Sequence, residues 1–248
     1  MAFWLIAVGY CYVNWGIKLA LLSDIHGNRD ALEAVVDAFD GIEIDVVVVA
    51  GDSVGYYFWP KEVVRLLREI DARIIAGNHE HMLIRSLTDS SYLHRITRKY
   101  GSGIVRALES FDVDEIEFIR SLPDCLTIDA GDQKVCVFHG SPRNTDEYIY
   151  PDTDLTQLHS SVPVGARWVI LGHTHHPMDR ESNGVRYINP GSVGQSRNGV
   201  SKAFWAVLDT DTDVVEMKTT EYDTTRAIDE ALRLHSDIPY LSRILEGN

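Results

Sequence analysis

Short runs of apolar, β-prone residues, each ending abruptly in a polar cluster, alternate along this chain with segments in which apolar residues recur every three or four positions. Ile17–Leu22 reads as a strand. Asn28 is of the type that caps a helix, and Leu32, Val35, Val36 and Phe39 then fall at helical spacing before Gly41 stops it. Asp45–Ala50 is almost all valine, the mark of a strand buried on both faces. Pro60 suits the first position of a second helix with Val63, Leu66, Leu67 and Ile70 inward, and Arg73–Ala76 reads as a third strand. This β-α-β-α-β order implies parallel pairing through right-handed crossovers.

Helical spacing takes over from Glu80 to Ser121 and stops at Leu122-Pro123. Cys125–Phe138 reads as a hairpin turning at Gly131-Asp132, and Trp168–Leu171, Val185–Ile188, Phe204–Asp209 and Val214–Thr220 as further strands. Helices over Thr224–Leu234 and near Tyr240 close the pattern. Short strands and tight turns in the second half predict a second, mixed sheet. The expected class is α/β, with two sheets face to face and helices outside.

What the strands share is how they end. Asp24-Ile25-His26, Gly51-Asp52, Gly77-Asn78-His79-Glu80, His139-Gly140 and Gly172-His173-Thr174-His175 each follow directly on an apolar run. Carboxylates and imidazoles massed in a core cost roughly several kcal/mol each unless paired or metal-bound. In an α/β sheet, residues just past the carboxyl ends of several strands converge on one crevice. Asp24 and His26 stand two apart and would share a face in extended backbone. Asp52 has two oxygens, enough to bridge cations held about 3.5–4 Å apart. Asn78 adds a neutral amide oxygen, His139 an imidazole, and His173 with His175 the most metal-like pair. Singly, each has an ordinary explanation as a turn residue or a hydrogen-bonded core histidine. Together they predict a two-metal hydrolytic centre. Imidazole and carboxylate donors without thiolate suit Mn²⁺, the preferred ion, or Fe²⁺, Ni²⁺, Co²⁺ and Zn²⁺, better than Ca²⁺ or Mg²⁺.

The same ordered set resembles the calcineurin-like metallophosphoesterase superfamily, over nearly the whole chain from Ile17 onward. His139-Gly140-Ser141-Pro142, Asn189-Pro190-Gly191-Ser192-Val193-Gly194 and Asp237-Ile238-Pro239 resemble its smaller prokaryotic branch, related to diadenosine tetraphosphatases. The resemblance implies a four-layer α/β/β/α sandwich with two mixed sheets. It implies one metal held by Asp24, His26, Asp52 and His175 and a second held by Asp52, Asn78, His139 and His173. It also implies that phosphate mono- or diesters are hydrolysed by a hydroxide bridging the two metals, with His79 touching the phosphate and assisting the leaving group. Two cations contribute about +4 against about −2 from Asp24 and Asp52, leaving a positive focus for an anionic substrate. Glu80 has two expected roles, orienting His79 or sitting solvated at a helix start. Arg143, four residues beyond His139, is a candidate phosphate contact, and Tyr56 a candidate stacking surface for a nucleobase. Packing over the loop and helix start is the first expectation for Tyr56, Tyr57, Phe58 and Trp59. The stretch Asn189–Gly194 does not match a P-loop and is expected to buttress the metal loops.

Composition narrows the alternatives. With 248 residues, 45% hydrophobic and 24% charged, the chain reads as one globular domain over 17–248 with C-terminal helices, preceded by an extension over 1–16. A net charge of −14 argues against sequence-independent nucleic-acid binding, which needs a basic surface. Cys11, Cys125 and Cys136 make an odd number without a Cys-x-x-Cys pair, so a reducing cytoplasm fits better than a disulfide framework or a zinc knot. Each is expected as a small buried hydrophobe. Met1–Gly16 lacks a basic leader and a small-residue cleavage site and is too short to span a bilayer, so an edge segment is preferred to a membrane anchor. The expected partner is a small phosphorylated substrate, and nothing in the pattern specifies an oligomeric state. Two rival readings remain: a protein serine/threonine phosphatase, which needs an open groove beside the metals, and a metal-free scaffold, since the superfamily includes a retromer subunit that binds partners without catalysis.

Overall fold

Two five-stranded sheets pack face to face in the computed structural model, which describes residues 16–247. The extension over 1–16, Gly16 apart, and Cys11 therefore lie outside the described residues. The first sheet has the order β10 (Val214–Thr220), β9 (Ala203–Asp209), β1 (Lys18–Leu22), β2 (Val46–Val49), β3 (Arg73–Ile74). β1, β2 and β3 are parallel, as the β-α-β-α-β pattern requires, while β9 runs antiparallel to β1 and β10 antiparallel to β9. The second sheet runs β4 (Cys125–Ala130), β5 (Gln133–Phe138), β6 (Ala166–Ile170), β8 (Val185–Asn189), β7 (Met178–Ser182), with parallel pairs only at β5–β6 and β6–β8. Both sheets are mixed. The last two strands return to the first sheet instead of extending the second.

Alternation along β1 sets the layers. Leu19 and Leu21 point between the sheets, where they meet Val48, Val135, Val137, Trp168 and Ile170. Ala20 and Leu22 point the other way, onto α1 (Arg29–Asp37) and α2 (Pro60–Glu69). On the far side of the second sheet, Val169, Leu171 and Tyr187 pack beneath Ile149 and the 3₁₀ turn Leu155–Ser161, whose Leu155 and Leu158 are buried. That outer layer is thin. The helical stretch after β3 resolves into α3 (Asn78–Ser86), α4 (Ser90–Tyr100), α5 (Gly103–Ser110) and α6 (Val113–Ser121), which share a core of their own around Leu83, Ile104 and Ile119. α7 (Thr225–Leu234) and α8 (Tyr240–Glu246) close over Tyr56, Tyr57 and Phe58. Among the described residues no helix is long and apolar enough to cross a membrane. Cys136 is buried as expected, but Cys125 is exposed, because it opens edge strand β4 on the solvent-facing side of its alternation.

Asn28 caps α1 by accepting from Ala31 N at 3.3 Å and also donates to Gly194 O at 2.8 Å and Tyr222 Oη at 3.1 Å. It thus ties the helix start to a loop 166 residues away. Asn28→Ala is expected to lower stability by about 1–3 kcal/mol, seen as a lower urea midpoint at unchanged slope.

Candidate metal centre

The carboxyl ends of β1, β2 and β3 in one sheet, and of β5 and β6 in the other, meet at one edge of the sandwich. Loop-to-loop backbone bonds lock them together: Asp24 N donates to Gly51 O at 3.1 Å, His26 N to Asp52 O at 2.8 Å, and Gly172 N to His139 O at 2.7 Å. Between the sheets, His173 N donates to Asp24 Oδ2 at 3.0 Å. The stretch after β8 buttresses these loops as expected. Ser192 Oγ donates to Asp24 O at 2.7 Å, and Asn189 Nδ2 donates to Gly172 O at 2.7 Å and Thr174 Oγ1 at 3.1 Å.

Side-chain direction here is set by turns, not by extended backbone. Asp24 (φ 54°), His26 (φ 55°), Asp52 (φ 57°), His173 (φ 65°) and His175 (φ 62°) all adopt left-handed backbone that non-glycine residues seldom take. The expectation that Asp24 and His26 share the face of a strand is therefore corrected: they converge because each sits in a tight left-handed turn beyond β1. Such strained positions cluster at functional sites.

All the residues expected at the centre are there, and all are buried. Donor atoms fall into three overlapping groups, Asp24–His26–His175, His26–Asp52–His79 and Asp52–His139–His173, each within 4.8 Å and each able to hold a metal ion. Asp52 Oδ1 accepts the His79 N–H at 2.8 Å, while Oδ2 lies 3.2 Å from His139 Nε2 and 3.8 Å from His26 Nε2. Asn78 Oδ1 is 3.0 Å from His139 Nε2.

Three ring nitrogens face backbone carbonyls: His26 Nδ1 with Val54 O at 3.2 Å, His139 Nδ1 with Ala50 O at 2.7 Å, and His175 Nδ1 with Gln195 O at 2.6 Å. A carbonyl accepts only from N–H, so each contact anchors Nδ1 and leaves Nε2 as the ring nitrogen aimed inward, the usual arrangement behind a ligating histidine. His26 Nε2 and His175 Nε2 then face each other at 3.1 Å. Asp24 Oδ1 and His173 Nε2 are buried with no hydrogen-bond partner. Orphaned donors and acceptors of this kind ask for an ion, so the residues fit a metal.

The electrostatics agree. Burial alone would raise the Asp52 carboxyl, but His139, His79 and His26 outweigh it and hold it well below the usual carboxylate range. Asp24 is likewise held low against burial by His175 and His139. Burial and the positive potential of neighbouring imidazoles push His26 well down and His173 down to about 4, whereas Asp52 overcomes burial at His139 and raises it to about 10. Positive charge is favoured between Asp52 and His139.

Glu80 neither orients the His79 ring nor meets solvent. It is 1% exposed, and its carboxylate accepts from four backbone N–H groups, Asp52 and Gly77 on Oε2 at 2.9 and 2.8 Å, and Ser53 and Val54 on Oε1 at 2.8 and 3.2 Å. Burial and the Asp52 charge push its pKa up to about 7 against the pull of these donors. Glu80 is a clamp between the β2 and β3 loops. Close approach of the two loops also requires Gly77, where a Cβ would come within 2.2 Å of Asp52 Oδ1. His79 packs over Gly55 (φ +102°), where a Cβ would lie 2.0 Å from His79 Nδ1.

The open side of the cluster is a narrow cleft, about 20 Å³ in free volume, lined by Asp52, Asn78, His26, His79, His173 and His175 together with Tyr56, Tyr100, Tyr148 and Arg197. Tyr56 is only 6% exposed and stacks on His79 at 4.9 Å, so its ring is engaged within the protein and not free to receive a base. Arg143 does not reach the cleft: it is paired with Glu147 and donates to Gln157 O at 3.3 Å. Arg197, Tyr100 and Tyr148 were not foreseen. For Arg197 a signal existed, because it follows closely on the Asn189–Gly194 stretch already placed against the metal loops.

A mixed two-sheet sandwich with a buried carboxylate–imidazole cluster at the strand ends defines a class, and the sequence of this chain agrees with it. The sequence model of the calcineurin-like phosphoesterase superfamily domain matches residues 17–213, and the chain belongs to that family. It is 28% identical to an uncharacterised protein of Methanocaldococcus jannaschii over 87% of this chain and 92% of that one. Among solved structures, a metallophosphoesterase of Sphaerobacter thermophilus superposes with a TM-score of 0.74 at 28% identity, covering 94% of this chain and 100% of that one. A hypothetical protein of Pyrococcus horikoshii gives a TM-score of 0.80 at 23% identity, covering 91% and 98%. That second likeness concerns the fold alone.

Proposed function

We propose that the protein is a dinuclear phosphoesterase that cleaves phosphate mono- or diesters of small, nucleotide-type molecules in a reducing cytoplasm, with Mn²⁺ as the preferred ion. Asp24, His26 and His175 would hold one cation and Asn78, His139 and His173 the other, with Asp52 shared between them. The observation that carries this reading is the position of Asp52 Oδ2 between His26 Nε2 and His139 Nε2, at 3.8 and 3.2 Å. A bound pair of divalent cations would supply polarisation of the phosphoryl oxygens and ionisation of the attacking water near neutral pH.

The chain's own residues do the rest. Asp52 Oδ1 holds the His79 backbone N–H at 2.8 Å and so sets the start of α3 against the centre. His79 lines the cleft with Nδ1 packed against Gly55, and it assists the leaving oxygen although burial lowers its pKa. Tyr56 and Tyr100 pack on the His79 ring at 4.9 and 5.2 Å and fix its orientation.

The test begins with metal analysis of protein purified without added metal. Turnover is then assayed with and without Mn²⁺ on an aryl phosphomonoester, an aryl phosphodiester, nucleotides and a phosphopeptide. Stoichiometric divalent metal and chelator-sensitive turnover of the small esters are expected. Absence of both metal and turnover would replace this reading with the scaffold, and turnover of the phosphopeptide alone with the protein phosphatase.

A further inference from the structure

Arg197 brings a cation to the cleft, and among the described residues no carboxylate hydrogen-bonds it. Its Nε is buried and makes no hydrogen bond. Its Nη2 donates to the Tyr56 hydroxyl at 3.4 Å and to Gln195 Oε1 at 3.5 Å, both at the outer limit of hydrogen bonding. No carboxylate is among these partners, in contrast to Arg143, whose fork is taken up by Glu147. The head group is nevertheless positioned. Gln195 accepts from the Tyr240 hydroxyl at 3.0 Å, and its Nε2 donates to Tyr57 Oη at 3.4 Å, so α8 and the aromatic loop together fix the side chain beside Arg197.

A guanidinium taken largely out of water, with donors left over, is stable only if an anion completes it, and its planar fork matches the oxygens of a phosphate. Asp52, Asn78, His79 and His173 line the same cleft. Resting on the phosphoesterase reading above, we propose that Arg197 grips the phosphoryl group of the substrate and biases the site toward phosphomonoesters. A monoester dianion has three non-bridging oxygens, enough to face the metal cluster and still offer one to Arg197. A diester has two such oxygens, one unit less negative charge and a second substituent. The cleft is narrow, with only about 20 Å³ of free volume, so that second substituent is the part it accommodates worst.

The test uses inorganic phosphate as the probe, titrated calorimetrically into Mn²⁺-loaded wild-type protein, Arg197→Ala and Arg197→Lys. Kcat/KM is measured in parallel for p-nitrophenyl phosphate and for bis(p-nitrophenyl) phosphate. Arg197→Ala is expected to weaken phosphate binding roughly 10- to 100-fold, with Arg197→Lys in between because it keeps the charge and loses the fork. Manganese content and melting midpoint stay at wild-type values, and monoester kcat/KM falls about tenfold further than diester kcat/KM. Unchanged phosphate affinity in Arg197→Ala would overturn the proposal, and equal losses on the two esters would overturn the monoester bias. If the alanine variant melts early, the lysine variant decides: wild-type affinity there refutes recognition by the fork. Should wild-type protein turn over neither ester while Arg197→Ala still loses phosphate affinity, the phosphoesterase reading falls and the anion site stands.

Discussion

Asp52→Asn is expected to lower turnover by about three orders of magnitude or more, on the scale seen when one member of a cooperating catalytic unit is removed. The substitution is nearly isosteric. Its amide oxygen can keep the 2.8 Å bond from His79 N, so the start of α3 stays in place. Its NH₂ group then occupies the position of Oδ2, facing His139 Nε2 and His26 Nε2 at 3.2 and 3.8 Å. A donor there has no lone pair for a cation. Metal content should fall to about one ion per chain instead of two, and the melting midpoint should move little. Elemental analysis and steady-state rates read the result directly; an unchanged rate with both ions retained would dismiss Asp52 as the shared ligand.

Glu80→Ala is expected to be the most destabilising single change in the site. Removing the carboxylate strands the N–H groups of Asp52, Ser53, Val54 and Gly77, all of them inside the protein. Each unsatisfied buried donor costs about 1–3 kcal/mol, so the total is at least about 4 kcal/mol, or roughly 10 °C in melting midpoint for a chain of this size. Glu80→Gln should lie between, since one of its two terminal atoms still accepts. Because the clamp joins the loops that carry Asp52 and Asn78, metal affinity should fall with stability. A Glu80→Ala variant that melts like wild type and loses only turnover would restore the rival role of steering the His79 ring.

Much of this arrangement was legible in the residues. Hydrophobic rhythm located β1, β2, α1 and α2 closely because one face of each is continuously apolar. The metal-type clusters could be read because each interrupts such a rhythm abruptly. Edge strand β7 could not be read in the same way: of Met178–Ser182 only Met178 is buried, so no alternation marks it. The 3₁₀ turn Leu155–Ser161 was missed for a related reason, since Leu155 and Leu158 are its only buried residues. Glu80 stayed ambiguous because a carboxylate that binds backbone leaves no charge partner in the sequence. Arg143 and Arg197 were separable only in part. Glu147 stands four residues beyond Arg143 as a visible counter-charge, whereas what distinguishes Arg197 is the lack of one, and that needs three dimensions to establish.

β1 is flanked in the first sheet by β2 on one side and β9 on the other, where Lys18 is aligned with Asp209. During synthesis, the β9 edge of β1 stays unpaired until nearly the whole polypeptide has left the ribosome. Asp24 meets His173 across 149 residues, and Asn28 meets Gly194 across 166. Pairings so distant in sequence make folding slow and leave an adhesive strand open to other nascent chains. A polypeptide released before Asp209 would lack this seal, which makes it a natural client for chaperones or proteolysis.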